Sequence, residues 1–327
     1  NAFERPVDVS GAGIEVHVAI GRAIIPEHGE DPDLLIRRAG RAAREAARRD
    51  LPFIAYSGKV DQEQPGRLAM VAELRRAIDE NELLLHYQPK IDLSSGRMLS
   101  LEALVRWKHP DRGMIPPAQF IPLAERTGLI RPITLAIVRM AARQQADWIA
   151  RGLQTPIAIN FTARSFNDSR FASRFSELIA GERVPADLVE IEITESSLVE
   201  DPEGARRVLQ GLRELGCRIA IDDFGTGYSC LSYLVHLPVQ SLKIDRSFIL
   251  GMSRSREAYQ VVASVISMAQ GLGLDVVAEG VETARDVEIL RELGCNQCQG
   301  FYFCRPAPAA QIESLWMAGS LARATAG

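Results

Sequence analysis

LVEIEITESSLVEDPEGARRVLQGLRELGCRIAIDDFGTGYS, from Leu188 to Ser229, decides the fold. Leu188–Thr194 has the β-branched content of a strand. Asp201–Gly216 carries apolar residues at helical spacing. Arg218–Asp222 is β-branched and apolar again, as a buried strand is. Two carboxylates, Asp222 and Asp223, then leave the core, and a glycine-rich turn follows.

The same rhythm extends outward in both directions. Upstream, helical Arg67–Leu83 leads to two strands, Leu83–Asp92 and Leu99–Trp107, joined by the turn LSSG. Helical Thr134–Ala150, strand Pro156–Phe161 and helical Ala163–Ala180 come next. Downstream, strand Ser241–Asp245 precedes helical Arg256–Gly273, strand Leu274–Gly280, helical Thr283–Gly294 and a last strand at Cys298–Phe303. Strand and helix alternating over about 250 residues predict a barrel with an outer ring of helices. An open doubly wound sheet is the competing arrangement, but no G-x-G-x-x-G follows the first strand. The first 60 residues read differently, with strand Gly13–Ile24, an arginine-rich helix Pro32–Arg49 and a short strand Pro52–Ser57. That set buries too little apolar surface to be comfortable alone. The predicted organisation is a small α/β fragment over 1–57, a polar linker over 58–66 and the barrel over 67–320.

The 327 residues are 46% hydrophobic and 24% charged, with a net charge of −4. Nothing there supports adhesion to DNA, RNA or a membrane through a basic surface. No apolar run approaches the ~20 residues of a bilayer span, and no secretory signal is visible. The chain opens on Asn1, so a longer parent is expected, with any membrane anchor or sensor outside this stretch. Five cysteines are too few and too odd in number for a secreted disulfide framework, which places the domain in the cytoplasm. Cys295 and Cys298 form a C-x-x-C with no second pair to complete a zinc site, and read as small residues packed at a turn.

In such barrels the chemistry gathers at the C-terminal ends of the strands. There the sequence carries Glu102, Asn160, Glu192, Asp222, Asp223 and Glu279, with Glu195 and Glu282 just beyond, Lys243 before Asp245, and Gln299 in the last strand. One acid near a strand end is usually solvated or salt-bridged. Six such groups around one closed rim converge on a small volume. Five carboxylates in one pocket repel each other unless protonated or neutralised by cations. Oxygen donors without His or Cys suit Mg²⁺ or Mn²⁺ rather than Zn²⁺. Consecutive aspartates can reach two ions, and two ions ~4 Å apart suit a phosphoryl displacement. Lys243 is then a cation near the attacking water. A glycosidase would need only two acids and aromatic platforms, which leaves Asn160, Glu192 and Asp223 unexplained. No G-x-S-x-G elbow is present.

EALVRW at Glu102–Trp107 resembles the signature of EAL-domain cyclic-di-GMP phosphodiesterases. So do YQPKID at Tyr87–Asp92, IEITES at Ile191–Ser196, IDDFGTGYS at Ile221–Ser229, LKIDRSFI at Leu242–Ile249, AEGVE at Ala278–Glu282 and CQGFYF at Cys298–Phe303. The resemblance runs from about Arg67 to Trp316. It implies a TIM-like (β/α)8 barrel whose first strand is antiparallel to its neighbours. It implies two Mg²⁺ or Mn²⁺ ions, inhibition by Ca²⁺, and hydrolysis of cyclic di-GMP to linear pGpG. The metal ligands would be Glu102, Asn160, Glu192, Asp222, Asp223 and Glu279, with Asp223 and Glu279 also in the catalytic set. Lys243 would orient and activate the water, Gln299 would support the site, and Gln88 and Arg106 would contact substrate. Glu195, with Glu282, would hold the DDFGTGYS loop, which implies a homodimer. A catalytically silent receptor for the same dinucleotide is the alternative. Residues 1–57 resemble the end of a GGDEF domain without its GGDEF motif, which implies an upstream GGDEF or sensory region. Ala39–Arg44 departs from that domain's usual last helix, and Cys230 stands where the loop commonly has a second Ser.

Overall fold

The computed structural model describes residues 7–9, 12–14, 18–48, 51–162, 170–200, 202–226 and 234–317. They fall into two compact units, residues 1–73 and 74–327. In the first unit, β1 (Val7–Val9) and β2 (Ala12–Ile14) are antiparallel. β3 (Ile20–Arg22) and β4 (Phe53–Ala55) are parallel and joined through α1 (Pro32–Arg48). Leu35, Ala42 and Ala46 of α1 are buried at helical spacing. The strand expected over Gly13–Ile24 is divided between β2 and β3, and its residues 15–17 lie outside the described ones. The stretch 58–66, expected as a linker, is helical: it opens α2 (Gly58–Asp79). Polar composition alone does not oppose a helix.

The second unit is a closed eight-stranded barrel. Its strands are β5 (Leu83–Asp92), β6 (Met98–His109), β8 (Ile157–Phe161), β9 (Val189–Thr194), β10 (Arg218–Phe224), β11 (Ser241–Ile244), β12 (Asp275–Ala278) and β13 (Gln297–Cys298). β7 (Gly113–Ile115) extends β6 as a hairpin. β5 is antiparallel to both β6 and β13 and closes the ring, and the other neighbours are parallel. The last strand is shorter than Cys298–Phe303. It ends at Cys298, and Gln299 is the first residue beyond it rather than within it. Phe301–Phe303 form a turn, with the Phe303 N–H donating to Gly300 O.

Around the barrel lie α3 (Pro117–Thr127), α4 (Ile130–Ala150), α5 (Phe171–Gly181), α6 (Glu195–Glu200), α7 (Pro202–Glu214), α8 (Arg246–Met252), α9 (Arg256–Gly271), α10 (Ala284–Glu292) and α11 (Ala309–Met317). Residues 163–169 of the helix expected over Ala163–Ala180 lie outside the described ones. α4 buries Ile133, Ile137, Ala141 and Trp148 along one stripe. The Trp148 ring meets Tyr87 of β5 edge-on at 4.8 Å, and its Nε1 donates to Glu313 Oε1 at 2.9 Å. Two caps fix where helices leave the rim. Asp245, two residues after Lys243, caps α8: its Oδ1 accepts from the Ser247 N–H at 2.9 Å. Thr283 and Asp286 form a capping box that starts α10 soon after Glu279. Among the described residues, no helix is long and apolar enough to cross a membrane.

Candidate active site

Strand register brings the predicted residues together. Gln88 of β5 is paired with Glu102 of β6, and Asn160 of β8 with Glu192 of β9. Asp222 is the fifth residue of β10, and Lys243 the third of β11. Glu279 directly follows β12, and Gln299 directly follows β13.

Consecutive side chains on a strand face opposite ways, so Asp222 and Asp223 should not serve one site. The backbone resolves this. Register slips between Ile221 and Phe224, and Asp223 adopts a left-handed φ of 53°. Aspartate tolerates that conformation better than most residues, and such bulges re-aim side chains at active sites. Asp222, Asp223 and Glu279 then each present an oxygen within 4.8 Å of one another. Glu102, Glu192 and Asp222 do the same, so Asp222 belongs to both groups.

Lys243 stands between them, wholly buried. Its Nζ lies 2.6 Å from Glu279 Oε1, 2.9 Å from Glu192 Oε2, 3.0 Å from Asp222 Oδ1 and 3.8 Å from Glu102 Oε2. Glu102 also accepts from Asn160 Nδ2 at 2.7 Å and from Gln299 Nε2 at 2.5 Å. Gln299 donates to Gln88 Oε1 at 3.0 Å, and Gln88 donates to the Cys304 carbonyl at 2.9 Å. Six of the predicted residues are thus tied into one network about Lys243 and Glu102.

The cluster holds more negative than positive charge, and its proton affinities show it. Burial lifts Glu102 to about 7, against the pull of Lys243. Burial, Asp222 and Asp245 lift Asp223 to about 6. Burial raises Glu279 well above the usual carboxylate range. Burial would raise Glu192 too, but Lys243 and Lys90 hold it at about 2. Burial opposes the charge on Lys243, yet the surrounding carboxylates raise its pKa well above the ordinary lysine value. Two overlapping triads of carboxylate oxygens, with no His or Cys among them, fit hard divalent cations. Such ions would supply the missing positive charge.

Above the cluster opens a cavity of about 300 Å³, lined by Gln88, Glu102, Asp222, Glu279, Arg246 and Phe301 among others. The half-buried Arg106 donates to the Val105 carbonyl at 2.9 Å and feels the charge of Glu102. Glu195 Oε2 accepts from the Gly225 N–H at 3.0 Å, two residues past Asp223. Residues 227–233 of the expected site-covering loop lie outside the described ones. Glu282 pairs with Arg246 Nη2 at 2.8 Å at the start of α8. A larger cavity, about 760 Å³, opens at the opposite end of the strands beside Ser100, Glu190 and Arg218. The carboxylate triads are not there.

Sequence reading missed Lys90 and Glu190. Lys90 Nζ contacts Glu190 Oε1 and lies 2.6 Å from Glu192 Oε1, with all three residues buried. The signal was present: Glu190 and Glu192 alternate on one strand face, and a lysine interrupts the apolar run of β5. The cysteines described, Cys217, Cys295, Cys298 and Cys304, are free and buried. Burial pushes the Cys295 thiol up to about 12, which makes it a poor nucleophile and redox centre.

The sequence model of the EAL domain matches residues 71–306. PA2567, a cyclic di-GMP phosphodiesterase of Pseudomonas aeruginosa, is 39% identical over 318 residues, covering 97% of this chain and 54% of that protein. PdeR, a cyclic di-GMP phosphodiesterase of Escherichia coli, is 37% identical over 316 residues, 95% of this chain and 47% of that protein. The chain therefore spans about half the length of these curated relatives. Among solved structures, the PaMucR phosphodiesterase in its c-di-GMP complex is similar with a TM-score of 0.72 at 40% identity, over 75% of this chain and 99% of that one. With the family signature matched across the barrel and its rim, the chain belongs to the EAL domain family.

Proposed function

We propose that the chain hydrolyses cyclic di-GMP to linear pGpG with two Mg²⁺ or Mn²⁺ ions at the barrel rim. The observation that carries this reading is the buried Lys243, ringed by Glu102, Glu192, Asp222 and Glu279 beneath an open cavity. Glu102, Asn160, Glu192, Asp222, Asp223 and Glu279 would hold the ions. Divalent ions bound there supply electrophilic stabilisation of the phosphodiester and a lower pKa for water. In the reaction, water oxygen bonds to phosphorus and the P–O3′ bond breaks; one water proton ends on O3′ and the other on the new phosphate monoester, which releases it to solvent near neutral pH. Lys243, kept charged by its carboxylate partners, orients the water and offsets the charge that builds on the phosphoryl oxygens. Gln299 holds Glu102 in place at 2.5 Å. Gln88, which lines the cavity, and Arg106, which is not among the residues lining it, would contact substrate.

The names of PA2567, PdeR and the PaMucR complex support cyclic di-GMP as substrate. The wider reading is a cytoplasmic homodimer whose residues 1–57 end a GGDEF domain, with a sensory region upstream.

The test incubates the purified chain with cyclic di-GMP and Mg²⁺ or Mn²⁺ and follows products by chromatography, beside Glu102→Ala and Asp222→Asn. pGpG from wild type alone is expected, with Ca²⁺ suppressing it because the larger ion prefers looser coordination. Binding without turnover in either metal would leave a receptor in place of an enzyme.

A further inference from the structure

We propose that Lys90 is a positioning residue that fixes how Glu192 presents itself to a divalent cation; the inference rests on the metal reading above. Glu192 is wholly buried, and each of its oxygens is held by a different lysine. Lys90 Nζ takes Oε1 at 2.6 Å from β5. Oε2 is left to face Lys243 at 2.9 Å, on the side of Glu102 and Asp222. Lys90 is itself anchored on Glu190, two residues before Glu192 on the same strand face. Lys90, Glu190 and Glu192 therefore form a brace inside the barrel that spans from β5 to β9.

A wholly buried lysine is costly, and apolar residues of similar volume often replace buried ion pairs without loss of stability. Stability therefore does not account for this brace. Its geometry does: a carboxylate with one oxygen clamped from behind cannot rotate, so the other oxygen keeps one direction. Outer partners of metal ligands act in this way and set ligand orientation. Glu190 also lines the cavity at the opposite end of the strands, so it can be altered without touching the rim.

The test measures Mn²⁺ alone, by loss of the free-ion electron paramagnetic resonance signal on titration into the whole chain. Lys90→Met/Glu190→Gln removes one charge of each sign, and Glu190→Gln alone is the control. The double variant is expected to bind Mn²⁺ about tenfold to a hundredfold more weakly, while the control, whose amide oxygen still accepts from Lys90, keeps wild-type affinity. Its Mn²⁺ activation constant should rise in step, with kcat recovered at saturating Mn²⁺ and KM for cyclic di-GMP unchanged. Circular dichroism and the melting temperature check that it folds. If it does not, Lys90→Ile/Glu190→Leu, an apolar pair filling the same slot, carries the same expectation. Mn²⁺ affinity equal to or tighter than wild type would overturn the proposal and reduce Lys90 to charge cancellation. Wild type that binds Mn²⁺ without hydrolysing cyclic di-GMP sinks the phosphodiesterase reading, yet the titration still decides the role of Lys90. Wild type that binds no Mn²⁺ overturns both.

Discussion

Gly300 lies directly against the backbone of Val281: a β-carbon on Gly300 would sit 2.0 Å from the Val281 carbonyl oxygen and 2.3 Å from its nitrogen. Backbone hydrogen bonds explain the closeness. The Val281 N–H donates to the Gln299 carbonyl, and the Tyr302 N–H donates to the Val281 carbonyl. This seam joins the chain just past Glu279 to the chain just past Gln299. Gly300→Ala must part it. The expected cost is about 3 kcal/mol in chemical denaturation, the upper end for overpacking. Turnover should fall further than stability, because Gln299 loses its 2.5 Å contact with Glu102.

Lys243→Met removes the cation shared by four carboxylates. A fall in kcat of about 10²–10³-fold is expected, as for loss of one preorganised electrostatic partner. The metal-free variant should also melt lower, since breaking a buried ion cluster from one side leaves uncompensated charge. Mn²⁺ should restore much of the melting temperature but not the turnover. Full recovery of turnover would remove Lys243 from the chemistry.

The proton affinities set the pH dependence of the metal-free protein. Glu102 is raised in the folded state from 4.5 to about 7, so the folded chain keeps a proton that the unfolded chain has lost. Stability must therefore fall as pH rises between those values. Asp223, raised from 3.8 to about 6, acts in the same direction. Glu192, lowered from 4.5 to about 2, acts oppositely: its contribution is present above 4.5 and is lost as pH falls toward 2. Melting temperatures in chelator should decline from pH 5 to pH 8. Saturating Mg²⁺ should abolish the decline, and its binding should release protons at pH 6. A flat profile in chelator would contradict these assignments.

Glu195→Ala cuts the contact that holds the Gly225 N–H. Leaving a partly buried donor unpaired costs about 1–3 kcal/mol, felt locally at the turn after Asp223. Mn²⁺ binding should weaken at the group formed by Asp222, Asp223 and Glu279, with global stability less affected. Two-site fitting of a Mn²⁺ titration separates this from a uniform loss.

The sequence made the barrel and its rim legible for a simple reason. Most of the parallel strands are short β-branched runs that carry a polar residue near or just past their C-terminal end, and closure brings those residues to one place. Asp222 and Glu279 could be placed on that basis. Asp223 could not be placed by strand alternation, because a left-handed backbone and a register slip re-aim it. Gln299 was read into a strand that stops one residue earlier, since an aromatic run after Cys298 mimics strand composition while forming a turn. The brace of Lys90 and Glu190 escaped notice because its meaning needs the pairing of β5 across the ring. Residues 58–66 read as non-helical from their Gly and Pro content, yet they are helical even with Pro65 inside the helix, where it supplies no N–H donor.

The reversed direction of β5 has a mechanical consequence. In an all-parallel barrel the first strand rises from the floor, and the chemistry lies at its far end. Here Leu83 begins beside Trp107, at the mouth, and Ile91 ends beside Met98, near the floor. Glu82, just ahead of β5, accepts from Trp107 Nε1 at 3.0 Å and from the Lys108 N–H at 2.8 Å. Tension or torsion applied to the chain ahead of Leu83 is thus delivered at the lip of the barrel, five residues along β6 from Glu102, with no need to be transmitted through the height of the sheet.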